Sequence, residues 1–153
     1  MLDIVIASDH RGFPLKAQLK EFLREKKFFF IDLGQDSAER APDDVTPPPI
    51  IKAITEVVDC VKSARHMCGI LICSDGIGAS IGANRFKGIR AALCRTVENA
   101  RQAREHNDAN VLCLANDNMD FEDIKKIVTT FINTKPADVL RYKKRREAFD
   151  ALG

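Results

Sequence analysis

The chain has 153 residues, of which 45% are hydrophobic and 30% are charged, an ordinary balance for a globular domain. Its 24 Lys and Arg residues and 22 Asp and Glu residues give a net charge of +2, which provides no global attraction for nucleic acid or an anionic membrane. No apolar run approaches the ~20 residues of a membrane span, and the first residues carry Asp3 and no basic segment, unlike a signal peptide. Length and composition predict a single domain over residues 1–153 with no membrane association.

The cysteines predict a protein with neither disulfides nor a zinc site. Their number is odd and they form no C-x-x-C pair; they are Cys60, Cys68, Cys73, Cys94 and Cys113. This usage is typical of a reducing compartment, so we expect a cytoplasmic protein.

Short apolar runs alternate with longer amphipathic stretches along the chain. In chain order, this pattern predicts strand Asp3–Ser8, helix Phe13–Lys26, strand Phe28–Leu33, helix Ile50–Arg65, strand Gly69–Cys73, helix Ala79–Arg85, strand Ile89–Cys94, helix Val97–Glu105, strand Asn110–Leu114, helix Asp120–Asn133 and helix Pro136–Ala151. The alternation predicts an α/β, doubly wound, Rossmann-like fold with a five-stranded parallel sheet, three α/β/α layers and a C-terminal helix. The strands are continuously apolar, which indicates that helices cover both faces of the sheet.

In such sheets ligands bind beyond the carboxyl ends of the strands, and two of these ends carry reactive side chains. The first strand leads directly into Asp9 and His10. A histidine there can donate a hydrogen bond to an anionic group. The alternative is a polar strand end that has no role in binding.

The third strand leads into the glycine-containing turn ICSDGIGAS, residues 72–80. Gly76 and Gly78 allow a tight turn into the next helix, and the successive N–H groups are expected to form a nest that binds an anion. Cys73 lies at the mouth of this nest, where a helix N-terminus would lower the pKa of its thiol. The alternative is a buried strand cysteine beside an ordinary turn. The turn lacks the G-K-[ST] of a Walker loop and the distal acid of a dinucleotide fingerprint.

Two further candidates lie in the predicted fourth and last helices. His106 and Asn107 end the fourth helix, where His is also a common C-cap. Arg141 and Arg145 are four residues apart on one helix face, and a pair of guanidiniums suits a phosphate group. The alternative for the arginines is a solvated charge run. We expect no nucleic-acid binding, because the chain has no other basic stripe and no interleaved aromatic residues.

Three segments closely resemble the B-type ribose-5-phosphate isomerases and the related galactose-6-phosphate and allose-6-phosphate isomerases. They are Asp9-His10-x-Gly12, GILICSDGIGASIGANRFKGIRAALC over residues 69–94 and REHNDANVL over residues 104–112. The resemblance implies an aldose–ketose isomerase of the pentose phosphate pathway, which interconverts ribose 5-phosphate and ribulose 5-phosphate through an enediolate. Two alternatives stay open: a hexose-phosphate isomerase, and a phosphosugar-binding homologue with weak turnover.

The resemblance also implies roles for individual residues. Cys73 corresponds to the catalytic base and His106 to the acid that opens the sugar ring. Substrate binding is implied for Asp9, His10, Ser74, Asp75, Gly76, Ile77, Gly78, Asn107, Arg141 and Arg145. The family uses no metal and no cofactor, and it forms homodimers, or tetramers, whose sites take residues from both subunits. We therefore expect His106 to act at the Cys73 of a partner chain.

The chain departs from the family pattern at four places near the expected site. Ser74-Asp75 replaces the usual Gly-Thr, and Tyr142 stands where His is common. The loop at residues 43–47 lacks a tyrosine, and residues 115–117 lack an arginine.

Asp75 poses a chemical question, because an ionised carboxylate cannot donate a hydrogen bond to a developing oxyanion. We expect one of two arrangements. Either Asp75 is protonated and donates, or its side chain turns away towards a cation such as Arg11 or Arg85.

Overall fold

The computed structural model describes residues 2–152. Its elements, in chain order, are β1 (Asp3–Ser8), α1 (Phe13–Glu25), β2 (Phe30–Gly34), α2 (Pro49–Ser63), β3 (Met67–Cys73), α3 (Ile77–Ala83), β4 (Ala91–Leu93), α4 (Val97–Asn107), β5 (Val111–Ala115), α5 (Phe121–Asn133) and α6 (Leu140–Asp150). The five strands are all parallel and lie in the order β2-β1-β3-β5-β4. The predicted doubly wound α/β fold is confirmed. Within the described residues, no helix is both long and apolar enough to cross a bilayer.

The sheet is buried between two layers of helices because successive strand residues point to opposite faces. On one face, Ile4, Ile6 and Leu112 pack into a core with α1, α4 and α5. On the other face, Val5 and Leu71 pack into a second core with α2 and α3. The prediction that helices cover both faces is therefore correct for the three central strands.

The two edge strands are less covered than the apolar pattern predicts. In β2, Ile31 and Asp32 are exposed. The predicted strand Ile89–Cys94 shortens to Ala91–Leu93, and all three of these residues are only half-buried. An apolar run does not reveal whether its strand will lie at the centre or at the edge of the sheet. Both edge strands still pack into both cores, Phe30 and Ala92 into one and Leu33 and Leu93 into the other, but their burial is incomplete.

The last helix begins four residues later than predicted, at Leu140 rather than Pro136. Proline is favoured at the first position of a helix, so Pro136 does not itself explain the later start. The Ala137 N–H donates to the Glu105 carbonyl, at 2.9 Å, and this bond attaches the connecting segment to the end of α4. The segment at residues 134–139 is therefore not helical, and it delivers α6 to the same end of α4.

The loop after β3 turns at Gly76, whose φ is +77°. A Cβ atom at this position would lie 2.5 Å from Leu93 Cδ1 and 3.2 Å from the Leu114 carbonyl carbon. The turn is therefore pressed against both β4 and β5, and only glycine fits. Gly78 lies two residues later in α3, and a Cβ atom there would meet nothing within 4 Å.

This contrast makes Gly76 and Gly78 a matched pair for mutagenesis. Gly76→Ala should lower the free energy of unfolding by roughly 1–3 kcal/mol, because it strains the backbone and displaces Leu93. Gly78→Ala should leave it unchanged or raise it by up to about 1 kcal/mol, because alanine is the better helix former. Urea unfolding of both variants measures the difference. Equal effects would show that the turn is not restricted as described.

Candidate active site

The predicted site residues fall into two groups at opposite edges of the sheet. The carboxyl-edge group comprises Asp9, His10 and residues 73–78, which follow β1 and β3. The amino-edge group comprises His106, Asn107, Arg141 and Arg145, which lie at the end of α4 and in α6. Helix α4 has 11 residues and spans about 16 Å as it returns from the end of β4 to the start of β5. The two groups are therefore separated by the height of the sheet.

The β1–α1 turn brings Asp9 and His10 beside the end of β3. Asp9 Oδ1 accepts a hydrogen bond from the Gly12 N–H at 2.9 Å, which closes the turn. A Cβ atom at Gly12 would lie 2.4 Å from the Ile72 carbonyl oxygen, so the turn lies directly against β3. Asp9 is close enough to Cys73 for its charge to act on the thiol.

Burial dominates the chemistry of the Cys73 thiol. The residue is only 6% exposed, and this burial raises the pKa of Cys73 above its ordinary value. The N–H groups of Ala79 and Gly76 act in the opposite direction, and the Gly76 N–H donates to Sγ at 3.2 Å. The negative charges of Asp9 and Asp75 raise the pKa further. The sequence-based expectation of a lowered pKa is wrong, since two N–H donors at the start of a seven-residue helix do not offset burial.

Asp75 does not adopt the second expected arrangement, in which its side chain turns away towards a cation; the first arrangement stays a prediction. Its Oδ1 accepts a hydrogen bond from the Ile77 N–H at 2.9 Å and lies 3.9 Å from Cys73 Sγ. Within residues 2–152 it forms no ion pair with Arg11 or Arg85. The carboxylate thus occupies one N–H of the expected anion nest, and a substrate oxyanion would have to displace it to reach that donor.

The loop after β5 forms hydrogen bonds to the backbone of residues 73–75, which contain Cys73. The Asn116 N–H donates to the Cys73 carbonyl and the Asp117 N–H donates to the Ser74 carbonyl, each at 2.9 Å. Arg95 Nη2 also approaches the Asp75 carbonyl, at 3.4 Å. These bonds hold the backbone of residues 73–75 in place. Within the described part of the chain, no cluster of three His, Cys, Asp or Glu side chains could hold a metal ion.

The amino-edge group is assembled around one aromatic ring. The His106 imidazole stacks on Tyr142, with 4.3 Å between ring centroids and 22° between planes. The Arg141 and Arg145 guanidinium carbons lie 4.7 and 5.5 Å from the centre of the same ring. Arg145 Nη1 lies 3.5 Å from the Asn107 side-chain oxygen, to which it donates. The prediction that both arginines share one helix face is confirmed.

Sequence reasoning missed two features that the structure reveals. Tyr142 lies at the centre of the amino-edge group; the sequence marked it only as a departure from the family pattern beside Arg141, not as a contact of His106 and both arginines. Ser8 is fully buried, and its Oγ has no hydrogen-bond partner within residues 2–152. It directly precedes Asp9, but a serine at a strand end has no pattern that would distinguish it.

No hydrogen bond, ion pair or aromatic contact joins the carboxyl-edge and amino-edge groups within the described residues. Hydrogen bonds from Arg90 also hold the end of α4, which carries His106 and Asn107, at the amino edge of the sheet. Arg90 precedes β4 and donates to the carbonyls of Asn107 and Asp108, at 3.1 and 3.0 Å. One chain therefore does not bring Cys73 and His106 together.

The chain matches the family described as Ribose/Galactose Isomerase over residues 4–149. It is 41% identical over 133 residues to a putative sugar phosphate isomerase of Rickettsia bellii, and the matched residues cover 87% of this chain and 88% of the relative. It is 36% identical over 152 residues to ribose-5-phosphate isomerase B of Escherichia coli, covering 99% of this chain and 97% of the relative. The crystal structure of a ribose 5-phosphate isomerase from Thermotoga maritima matches with a TM-score of 0.89 at 38% identity, and covers 99% of both chains.

These similarities span both the carboxyl-edge and the amino-edge groups, and they confirm the predicted isomerase class. The chain belongs to the ribose/galactose isomerase family.

Proposed function

We propose that this chain is a ribose-5-phosphate isomerase of the B type, which interconverts ribose 5-phosphate and ribulose 5-phosphate through an enediolate. One observation carries the proposal. The fold presents a thiol beside backbone N–H donors at one edge and an imidazole beside two guanidiniums at the other. These are the groups that the reaction requires.

The chemistry assigns a step to each group. Moving a proton between C1 and C2 of the open-chain sugar requires a base, and the Cys73 thiolate would remove the proton from one carbon and return it to the other. The N–H donors of residues 74–78 would stabilise the negative charge of the enediolate where it develops. His106 would transfer the proton that opens the sugar ring. Arg141 and Arg145 would bind the phosphate, remote from the reacting carbons.

A second copy of the chain would complete this site. Cys73 and His106 lie at opposite edges of one chain, so we infer a homodimer in which His106 acts at the Cys73 of its partner. The β4 side of the sheet supports this inference. Ile77 and Ile81 of α3 are 49% and 63% exposed there, and a groove of about 920 Å³ lies between β4, α4 and the end of α6. An uncovered edge strand beside exposed apolar side chains is typical of an interface.

Asp75 favours a second candidate, the isomerisation of a hexose phosphate. Its carboxylate lies beside the Cys73 thiol, where it could accept a hydrogen bond from an additional substrate hydroxyl.

We also infer a cytoplasmic location, since all five cysteines are free thiols.

Turnover of purified protein with ribose 5-phosphate, galactose 6-phosphate and allose 6-phosphate tests the proposal. We expect the highest kcat/KM with ribose 5-phosphate. Cys73→Ala should lower kcat by roughly 10²–10⁴-fold, because it removes the positioned base. The matched control is Cys60→Ala, a half-buried cysteine in α2 that should keep full activity. Tight phosphosugar binding without turnover would instead favour a binding protein.

The pH dependence of kcat/KM tests the role of Cys73, because this parameter reports groups of the free enzyme. Burial raises the pKa of Cys73, so the thiol predominates at neutral pH and the thiolate fraction grows as the pH rises. We expect kcat/KM to increase between about pH 7 and pH 9, approaching about tenfold per pH unit. A flat or falling profile over this range would contradict a thiolate base.

The phosphate role of the arginines predicts an effect mainly on KM. Arg141→Ala and Arg145→Ala should each raise KM by roughly 10- to 150-fold, since a hydrogen bond to a charged group contributes about 1.5–3 kcal/mol. The control is Lys143→Ala on the same helix, because Lys143 pairs with Asp138 and lies outside the group around Tyr142. Steady-state kinetics of the three variants would disprove a specific phosphate site if all three behaved alike.

A further inference from the structure

Helix α6 has almost no apolar face. Its sequence is LRYKKRREAFD, and Tyr142 is its one buried residue, at 8% exposure. The helix nevertheless has other attachments to the domain. Asp150 accepts a hydrogen bond from Arg90 at 2.7 Å, and Arg146 Nη2 donates to the Ala137 carbonyl at 3.3 Å. Tyr142 is therefore not the only contact that keeps α6 in place, and its burial against His106 calls for another explanation.

The ring of Tyr142 contacts three of the groups assigned to the reaction. His106 stacks on it at 4.3 Å, within the distance range of favourable aromatic pairs. The Arg141 and Arg145 guanidiniums lie within the ~6 Å range of cation–π attraction. The Tyr142 hydroxyl also accepts a hydrogen bond from Arg141 Nη2 at 2.8 Å. One side chain thus restrains an imidazole and two long, exposed arginine side chains.

We propose that Tyr142 is a positioning residue, which holds the ring-opening histidine and the two phosphate-binding arginines in a fixed relative geometry before a substrate arrives. The inference rests on the proposed function, because that function assigns the roles of His106, Arg141 and Arg145. Tyr142 itself would not touch the reacting atoms. Its effect arises because ordering an arginine before binding reduces the freedom that the side chain loses on binding.

Two substitutions separate the contributions of the hydroxyl and the ring. Tyr142→Phe keeps the ring and removes only the bond from Arg141. It should raise KM roughly 2- to 10-fold and leave kcat unchanged; the effect is smaller than the full contribution of a bond from a charged group, because water can hydrate the exposed Arg141 guanidinium. Tyr142→Leu keeps apolar bulk and removes the ring. It should lower kcat and raise KM together, with kcat/KM reduced roughly tenfold or more. Phe29→Leu serves as the control and should change neither parameter, because Phe29 is an exposed aromatic residue before β2, at the edge of the sheet opposite β4.

A spectroscopic readout tests the geometry without turnover. The stacked ring should shift the His106 ring-proton resonances upfield in the NMR spectrum. Only three histidines contribute, and exposed His66 provides an internal reference. The upfield shift should persist in Tyr142→Phe and disappear in Tyr142→Leu. Calorimetric titration with inorganic phosphate should also give a weaker Kd in Tyr142→Leu than in the parent.

The outcomes distinguish this inference from the proposed function. A parent protein without isomerase activity would disprove the function, while the NMR shift and the phosphate titration would still test the positioning role. Parental kcat, KM and phosphate affinity in Tyr142→Leu would overturn that role even if the stack were lost. If Tyr142→Leu does not fold, Tyr142→Phe decides, and an unchanged KM with an unchanged phosphate Kd would count against the proposal.

Discussion

A parallel β–α–β crossover must carry its helix back from the carboxyl edge of the sheet to the amino edge. This constraint governs the site. Helix α4 starts after β4 and ends at Asn107, directly before β5, so His106 is delivered to the edge opposite Cys73. The stack of His106 on Tyr142 then fixes α6 at the same edge, as does Arg90, which donates both to the end of α4 and to Asp150 of α6. The separation of the two groups follows from the topology, and it is the reason why a site that uses both requires two chains.

At the carboxyl edge, the buried Cys73 thiol and the Asp75 carboxylate accept hydrogen bonds from the N–H groups of the same loop. Asp75 occupies the Ile77 N–H, and the Gly76 N–H points at Cys73 Sγ. Burial keeps the thiol protonated in the free protein, as the raised pKa of Cys73 indicates. A substrate that displaced the Asp75 carboxylate would both free an N–H donor and remove a negative charge from beside the sulfur. In the proposed mechanism, substrate binding and activation of the Cys73 base would therefore be coupled in this loop.

The fold was largely predictable, because it depends on local patterns, whereas the roles of the site residues come from the resemblance to a family and stay predictions. Periodicity located the eleven elements to within a few residues, and the Gly76 turn was visible as a glycine pair after a strand. Three features depend on tertiary context and were not predictable. The raised pKa of Cys73 results from burial between β3 and its neighbours, the Asp75 bond from a loop conformation, and the Tyr142 stack from the docking of α6 on α4.

The central claim is that Cys73 of one chain and His106 of another form one site. Mixing Cys73→Ala with His106→Ala protein, under conditions that allow subunits to exchange, tests it most directly. Each variant alone should be inactive, whereas a heterodimer retains one intact site. The account predicts that an equal mixture regains about a quarter of the parental activity, as random pairing in a two-fold dimer requires. No recovery, despite co-purification of differently tagged chains, would contradict it.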